Sequence, residues 1–146
     1  MTKSNLMREV EERLADRRVR FTKGRRTVVS ALSLTDGPLS AAELHLVIGN
    51  AIPLSSLYRS LAVLEQAGVL EPHLGKKGVT RYELAEWLRG HHHHLVCIEC
   101  GAVDDVELPE NYESRVAELV RGIGDIARFT PMNHALEIEG RCARCA

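Results

Sequence analysis

His91-His92-His93-His94 runs through Leu95-Val96 into Cys97-Ile98-Glu99-Cys100, and Cys142-Ala143-Arg144-Cys145 repeats the Cys-x-x-Cys spacing near the end of the 146 residues. These stretches hold four of the seven histidines and all four cysteines. Cysteines in two close pairs, in a chain without a signal-peptide pattern, point to metal more than to disulfides. Each pair makes a knuckle, and four thiolates match the closed tetrahedral site of structural zinc. Cys97, Cys100, Cys142 and Cys145 are therefore expected to tie the final residues to the start of the second half. Metal-free protein should be partly unfolded.

The histidines call for separate treatment. In a strand, alternate side chains point to opposite faces. His91 and His93 then face one way, and His92 and His94 the other, which suits two metal sites better than one. Glu83 or Glu71, or Asp105 ahead of Asp104, could join His92 and His94. His134, on one strand face with Leu136 and Ile138, and Glu113 (or Glu110) could join His91 and His93. Mixed histidine and carboxylate ligands suit zinc, iron, manganese or nickel without selecting among them.

The spacing around these ligands predicts strands over 92–97, 102–108 and 134–140. A helix from Asn111 to Ile123 would bury Tyr112, Val116, Leu119, Val120 and Ile123, and the segment from Gly122 to Pro131 would lead out of it as a loop. One helix on a small sheet is short of core. The metal and a partner subunit extending the sheet are the expected remedies.

The first half has a different character. Leu6, Met7, Val10 and Leu14 recur at helical spacing over residues 4–18. A basic turn follows, with Arg17, Arg18, Arg20, Lys23, Arg25 and Arg26, and then a second helix carrying Val28, Val29, Leu32 and Leu34. Ser40-Ala41-Ala42-Glu43 is a capping box opening a third helix, with Leu44, Val47 and Ile48 turned inward. From Ile52 to Gly68, Leu57, Leu61 and Leu64 line one helical face, while Ser55, Tyr58, Arg59, Ala62 and Gln66 line the other. That second face is short, polar and weakly charged, which suits base edges and phosphates in a major groove. Two strands then flank Gly75-Lys76-Lys77-Gly78, a hairpin with a basic tip. Helices followed by such a hairpin make a winged helix-turn-helix.

Charge divides the chain in the same place. Residues 1–83 carry 13 Lys and Arg against 9 Asp and Glu, or +4, and residues 84–146 carry 6 against 11, or −5. A basic half suits a polyanionic partner. The expected organisation is α+β: a winged-helix DNA-binding domain over 1–84, a hinge over 85–90 and a metal-binding α/β dimerisation domain over 91–146. No apolar run reaches the ~20 residues of a membrane helix, so a cytoplasmic protein without membrane contact is expected. A zinc hydrolase would need an open metal position beside a general base, and no His-Glu-x-x-His occurs. No small-molecule substrate is expected. A redox switch built on the Cys-x-x-Cys pairs, or a peroxide sensor, is the alternative function.

These residues resemble the ferric uptake regulator family of metal-sensing repressors over nearly the whole chain. The likeness rests on Phe21-Thr22-Lys23-Gly24-Arg25, Leu57-Tyr58-Arg59-Ser60-Leu61, Arg81-Tyr82-Glu83, the run from His91 to Gly101, and the run from His134 to Cys145. The resemblance implies a homodimer that binds a DNA operator of dyad symmetry when a regulatory divalent metal, iron or zinc and alternatively manganese or nickel, joins the structural zinc. It places the hinge site on Glu83, His92 and His94, with Glu71 or Asp105 as a further ligand, and a second site on His91, His93, Glu113 and His134. Ser55 and Tyr58 would touch bases, while Lys23, Arg25, Arg59, Lys76 and Lys77 would meet phosphates. Two departures stand out. Pro38 occupies the place of a histidine found in many iron and peroxide sensors, and no cysteine lies between Glu83 and Gly90; His73 beside Glu71 could stand in.

Overall fold

The computed structural model describes residues 2–75 and 77–146 and divides into two units, Met1–Gly90 and His91–Ala146. Three helices of the first unit begin on a side-chain hydroxyl that satisfies an otherwise orphaned amide. Thr2 accepts from the Asn5 amide at the start of α1 (Lys3–Asp16), and Thr22 from the Arg25 amide at the start of α2 (Lys23–Ser33). Ser40 accepts from the Glu43 amide at 3.1 Å to open α3 (Ala41–Ile48), and the Glu43 carboxylate accepts in return from the Ser40 amide at 3.2 Å. A short 3-10 turn (Gly49–Ala51) leads to α4 (Leu54–Gln66).

The core of this unit is the set of residues that helical spacing selects: Leu6, Val10 and Leu14 from α1, Val28, Val29 and Leu32 from α2, Leu44 from α3, and Leu57, Leu61 and Leu64 from α4. Two expected members stay outside. Leu34 is the C-cap of α2 and lies 78% exposed, because the helix ends at Ser33 and its periodicity no longer applies. Val47 is exposed although Leu44 is buried and Ile48 packs on the core, so α3 covers a narrower stripe than its sequence offers.

Strands β2 (Leu70–Leu74) and β3 (Thr80–Leu84) form the expected hairpin, and the two-residue β1 (Leu39–Ser40) pairs with β3 on its other side, all antiparallel. The hairpin is tied to α3 as well. Glu43 Oε1, already engaged with the Ser40 amide, accepts from Arg81 Nε at 3.1 Å. Residues 86–89 form a single helical turn, α5, that is fastened within this unit. Trp87 Nε1 donates to the Gly68 carbonyl at 2.8 Å, the Arg13 guanidinium lies 4.0 Å above the Trp87 ring, and Arg89 Nη2 donates to the Thr35 carbonyl at 2.7 Å.

In the second unit β4 (His93–Cys97) lies between β5 (Val103–Val106), antiparallel to it, and β6 (Glu137–Gly140), parallel to it. Parallel pairing needs a long crossover, and α6 (Glu110–Ala127) supplies it. The expected exit at Gly122 does not occur: α6 runs through both glycines and ends on Arg128, which takes a left-handed conformation. Gly124 serves close approach instead of termination, since a Cβ there would meet the Phe129 carbonyl at 2.6 Å and the Pro131 ring at 2.7 Å. The stripe expected to be buried on α6 is largely open, with Tyr112, Leu119 and Ile123 all more than half exposed. His134 also falls outside its expected strand, because β6 begins only at Glu137.

Candidate metal centres and recognition surface

Register decides which donors meet. Cys97 pairs with Gly140 across β4 and β6, so the two Cys-x-x-Cys segments leave the sheet side by side. All four sulfurs lie within 4.8 Å of one another, and none is in a disulfide. A zinc ion with Zn–S bonds of about 2.3 Å sets a tetrahedral S···S edge of roughly 3.8 Å. Cys100 Sγ and Cys142 Sγ are 3.8 Å apart. The electrostatics are those of a thiolate site. Backbone amides of Cys100, Cys142 and Glu99, directed at the Cys97 sulfur, hold its thiol at about 6. Cys145, hydrogen-bonded to Cys142 and partly buried, is pushed up to about 12. Thiols this close cannot all ionise without a cation among them. The donor set therefore fits zinc and leaves no open position.

The four histidines separate as strand alternation requires. His91, His93, His134 and Glu113 form one group. Glu113 Oε1 is 3.0 Å from His91 Nε2 and 3.2 Å from His134 Nε2, while Oε2 is 2.9 Å from His93 Nε2. His91 Nε2 and His134 Nε2 are themselves 3.2 Å apart. Neutral imidazoles carry one proton each and cannot satisfy every one of these contacts together. Ligands about 2.0 Å from a common metal would be separated by roughly 3.3 Å, so the geometry fits a tetrahedral cation. A hydrogen bond from His93, reinforced by the charges of His93 and His91, holds the Glu113 carboxyl below the usual carboxylate range. His93 is almost fully buried, which fixes the ring.

On the other face of β4, His92 and His94 turn toward Asp105. Their Nε2 atoms lie 3.7 and 3.4 Å from Asp105 Oδ1, and their rings meet edge to face with centroids 5.1 Å apart. Asp105 is there because it pairs directly with His94, and opposite residues of an antiparallel pair share a face. Asp104 points away and is exposed, as is Glu110. Glu83 is buried in β3 of the first unit. Glu71, opposite it on β2, is exposed and accepts from the Glu86 amide, outside every group of metal-capable ligands among the described residues. His73 is likewise in none of them.

The residues expected to contact DNA from the fourth helix share one face of α4. Ser55, Tyr58, Arg59, Ala62 and Gln66 are exposed on α4, while Leu57, Ser60, Leu61 and Leu64 are buried on its opposite side. Lys23 and Arg25 stand in the first turn of α2, where Arg25 Nη1 donates to the Arg20 carbonyl. Lys77 is exposed at the hairpin tip, and Lys76 lies outside the described residues. The buried Ser60 and the anchors Trp87 and Arg89 had no signal in the sequence, because each depends on a partner brought near by folding.

The model of the ferric uptake regulator family matches residues 16–138. The ferric uptake regulation protein of Bacillus subtilis is 35% identical over 123 residues, which cover 82% of this chain and 79% of that protein. The Helicobacter pylori ferric uptake regulator, whose structure was described as revealing three functional metal binding sites, superposes with a TM-score of 0.77 at 25% identity, covering 99% of this chain and 94% of that one. A zinc uptake regulator solved in complex with zinc and DNA superposes with a TM-score of 0.59 at 26% identity, covering 99% and 95%. With a family match over most of the chain and a relative above 30% identity, this chain belongs to the ferric uptake regulator family, a family of transcriptional regulators and not of enzymes.

Proposed function

We propose that the protein is a metal-responsive, DNA-binding repressor of metal-uptake genes, acting as a cytoplasmic homodimer on operators of dyad symmetry. The observation that carries this reading is the contrast among its ligand groups. The four thiols form a closed set suited to permanent zinc, whereas His92, His94 and Asp105 form a sparse set suited to an ion that comes and goes. The resemblance to the family adds Glu83 to that sparse set, and residues 85–90 serve as the hinge. A divalent ion bound there would offset the carboxylate charge and favour one arrangement of hinge and DNA-binding unit over others. Such an ion acts only through its differential affinity for the two states. His91, His93, His134 and Glu113 form a second site, which supports the fold of the dimerisation unit.

In the DNA-binding unit, Ser55 and Tyr58 meet base edges or thymine methyls. Arg59, Lys23, Arg25, Lys76 and Lys77 neutralise phosphates. The open apolar stripe on α6 is the surface on which a second copy packs, since an exposed patch of this kind marks an interaction site. The ion sensed is iron or zinc. The deciding experiment titrates operator binding with zinc, iron(II), manganese and nickel, on protein that keeps its structural zinc. The variant His92→Ala/His94→Ala should remain dimeric and lose the metal response; a variant that still responds would remove these residues from the sensing site.

A further inference from the structure

A cleft of about 610 Å³ opens in the first unit beside the turn between α1 and α2 and the C-terminal end of α4. Arg17, Arg18, Arg20 and Arg25 line it, with Val63 and Gln66 of α4 among the facing residues, and no carboxylate is in the lining. None of the four guanidinium groups has an ion-pair partner among the described residues. Elsewhere in this unit Arg26 pairs with Glu11, Arg81 with Glu43, Arg13 stacks on Trp87, and Arg89 donates to backbone carbonyls, as Arg25 of the cleft does to Arg20. Four unpaired positive charges converging on one concave surface repel one another unless an anion lies between them.

The backbone gives a second, independent observation. Arg18 has φ +58, and the amides of Arg18 and Val19 donate to the carbonyls of Ala15 and Leu14. That is a Schellman end, whose left-handed position favours glycine. α4 ends in the same way within the same unit, with the amides of Gly68 and Val69 bonded to Glu65 and Leu64, and there the left-handed residue is glycine with φ +74. Arg18 after α1, like Arg128 after α6, takes this position at a local cost, and the Arg18 side chain lines the cleft.

We propose that this cleft binds a compact polyphosphate anion, as pyrophosphate or as the phosphate chain of a nucleotide. Its volume lies within the range of small-molecule sites, about 300–1,000 Å³. Guanidinium forks match phosphate oxygens in geometry as well as charge, and several of them together match several charges on one short chain. Val19, Val63 and Ala67 give one wall an apolar surface. The proposal does not depend on reading α4 as the DNA-recognition helix.

Equilibrium dialysis of the full chain against labelled ATP, and separately against labelled pyrophosphate, at physiological salt tests it. Protein-bound metal is measured on both sides, so that chelation is not counted as binding. Wild-type protein should take up one anion per chain, and Arg18→Gly should weaken uptake about tenfold, the loss expected for a charge-assisted contact. Because glycine suits the left-handed position, Arg18→Gly should melt at the same temperature as wild type or higher. Arg8→Gln, an exposed change outside the cleft, should bind as wild type does. If Arg18→Gly melts lower, the exposed Arg17→Gln decides in its place. The absence of saturable uptake of both anions, or equal uptake by the cleft variants and Arg8→Gln, overturns the proposal. So does a defect confined to duplex DNA, which would assign these arginines to the DNA backbone.

Discussion

His94 and Asp105 are directly opposed on β4 and β5, with Asp105 Oδ1 3.4 Å from His94 Nε2. One backbone pairing thus fixes the histidine and the carboxylate together, on rigid strands and not on loops. Asp105→Asn keeps the shape and removes the charge. It should weaken the regulatory metal by about 10- to 100-fold, the range for losing one supporting group at a metal site. Competition with a chelator of known affinity measures this, and the four-thiol zinc should stay in place throughout.

Cys142→Ser should remove zinc from the thiol group and release the segment after Gly140. Metal analysis should show one zinc fewer per chain, and limited proteolysis should cut within 137–146. Melting of the first unit, whose core draws on no residue beyond Leu88, should be unaltered. Acid should release this zinc too, because thiolate ligands must be deprotonated to bind and protons compete as pH falls.

How far these sites could be read from the chain depends on the range of the rule used. Strand alternation acts between neighbours, so the division of His91–His94 into two pairs was legible, as was Asp105 on the adjacent strand. Glu113 is legible only as one of two candidates with Glu110, because a helix residue 20 positions from His93 meets it by tertiary packing alone. Val47 departs because periodicity identifies an apolar face without saying whether anything covers it, and Leu34 because α2 ends before it. Gly122 and Gly124 were mistaken for a helix end for a related reason: the contact of Gly124 with Phe129 and Pro131 is absent from any local pattern.

The exposed stripe on α6 gives a test of assembly. Leu119→Asp with Ile123→Asp places charges on residues 63% and 55% exposed in the single chain, where the folded protomer tolerates them. Sedimentation should show a dimer for wild type and a monomer for the variant. A dimer that survives would move the interface elsewhere.

Glu43 serves both the capping box of α3 and the tether to Arg81 of the wing. Ser40→Ala should lower stability by about 1 kcal/mol, the usual loss for a cap. Glu43→Ala should cost a comparable amount and, in addition, loosen the wing, seen as faster amide exchange along β3. Glu43→Gln should retain most of the cap.

Arg59→Ala should weaken operator binding and reduce the slope of log affinity against log salt by about one, as for a lost phosphate contact. Tyr58→Phe should leave that slope unchanged, since a base or methyl contact releases no counterion.

The parallel pairing of β4 with β6 has a consequence for how the protein is made. Cys100 and Cys142 are 42 residues apart, and the strand that brings them together is synthesised after β4, β5 and α6. The first unit has its whole core by Leu88 and can fold while that strand is still to come. Each nascent chain therefore passes through an interval in which a finished first unit precedes an unclosed thiol site. The four thiols can close on one ion only once Cys145 has been made.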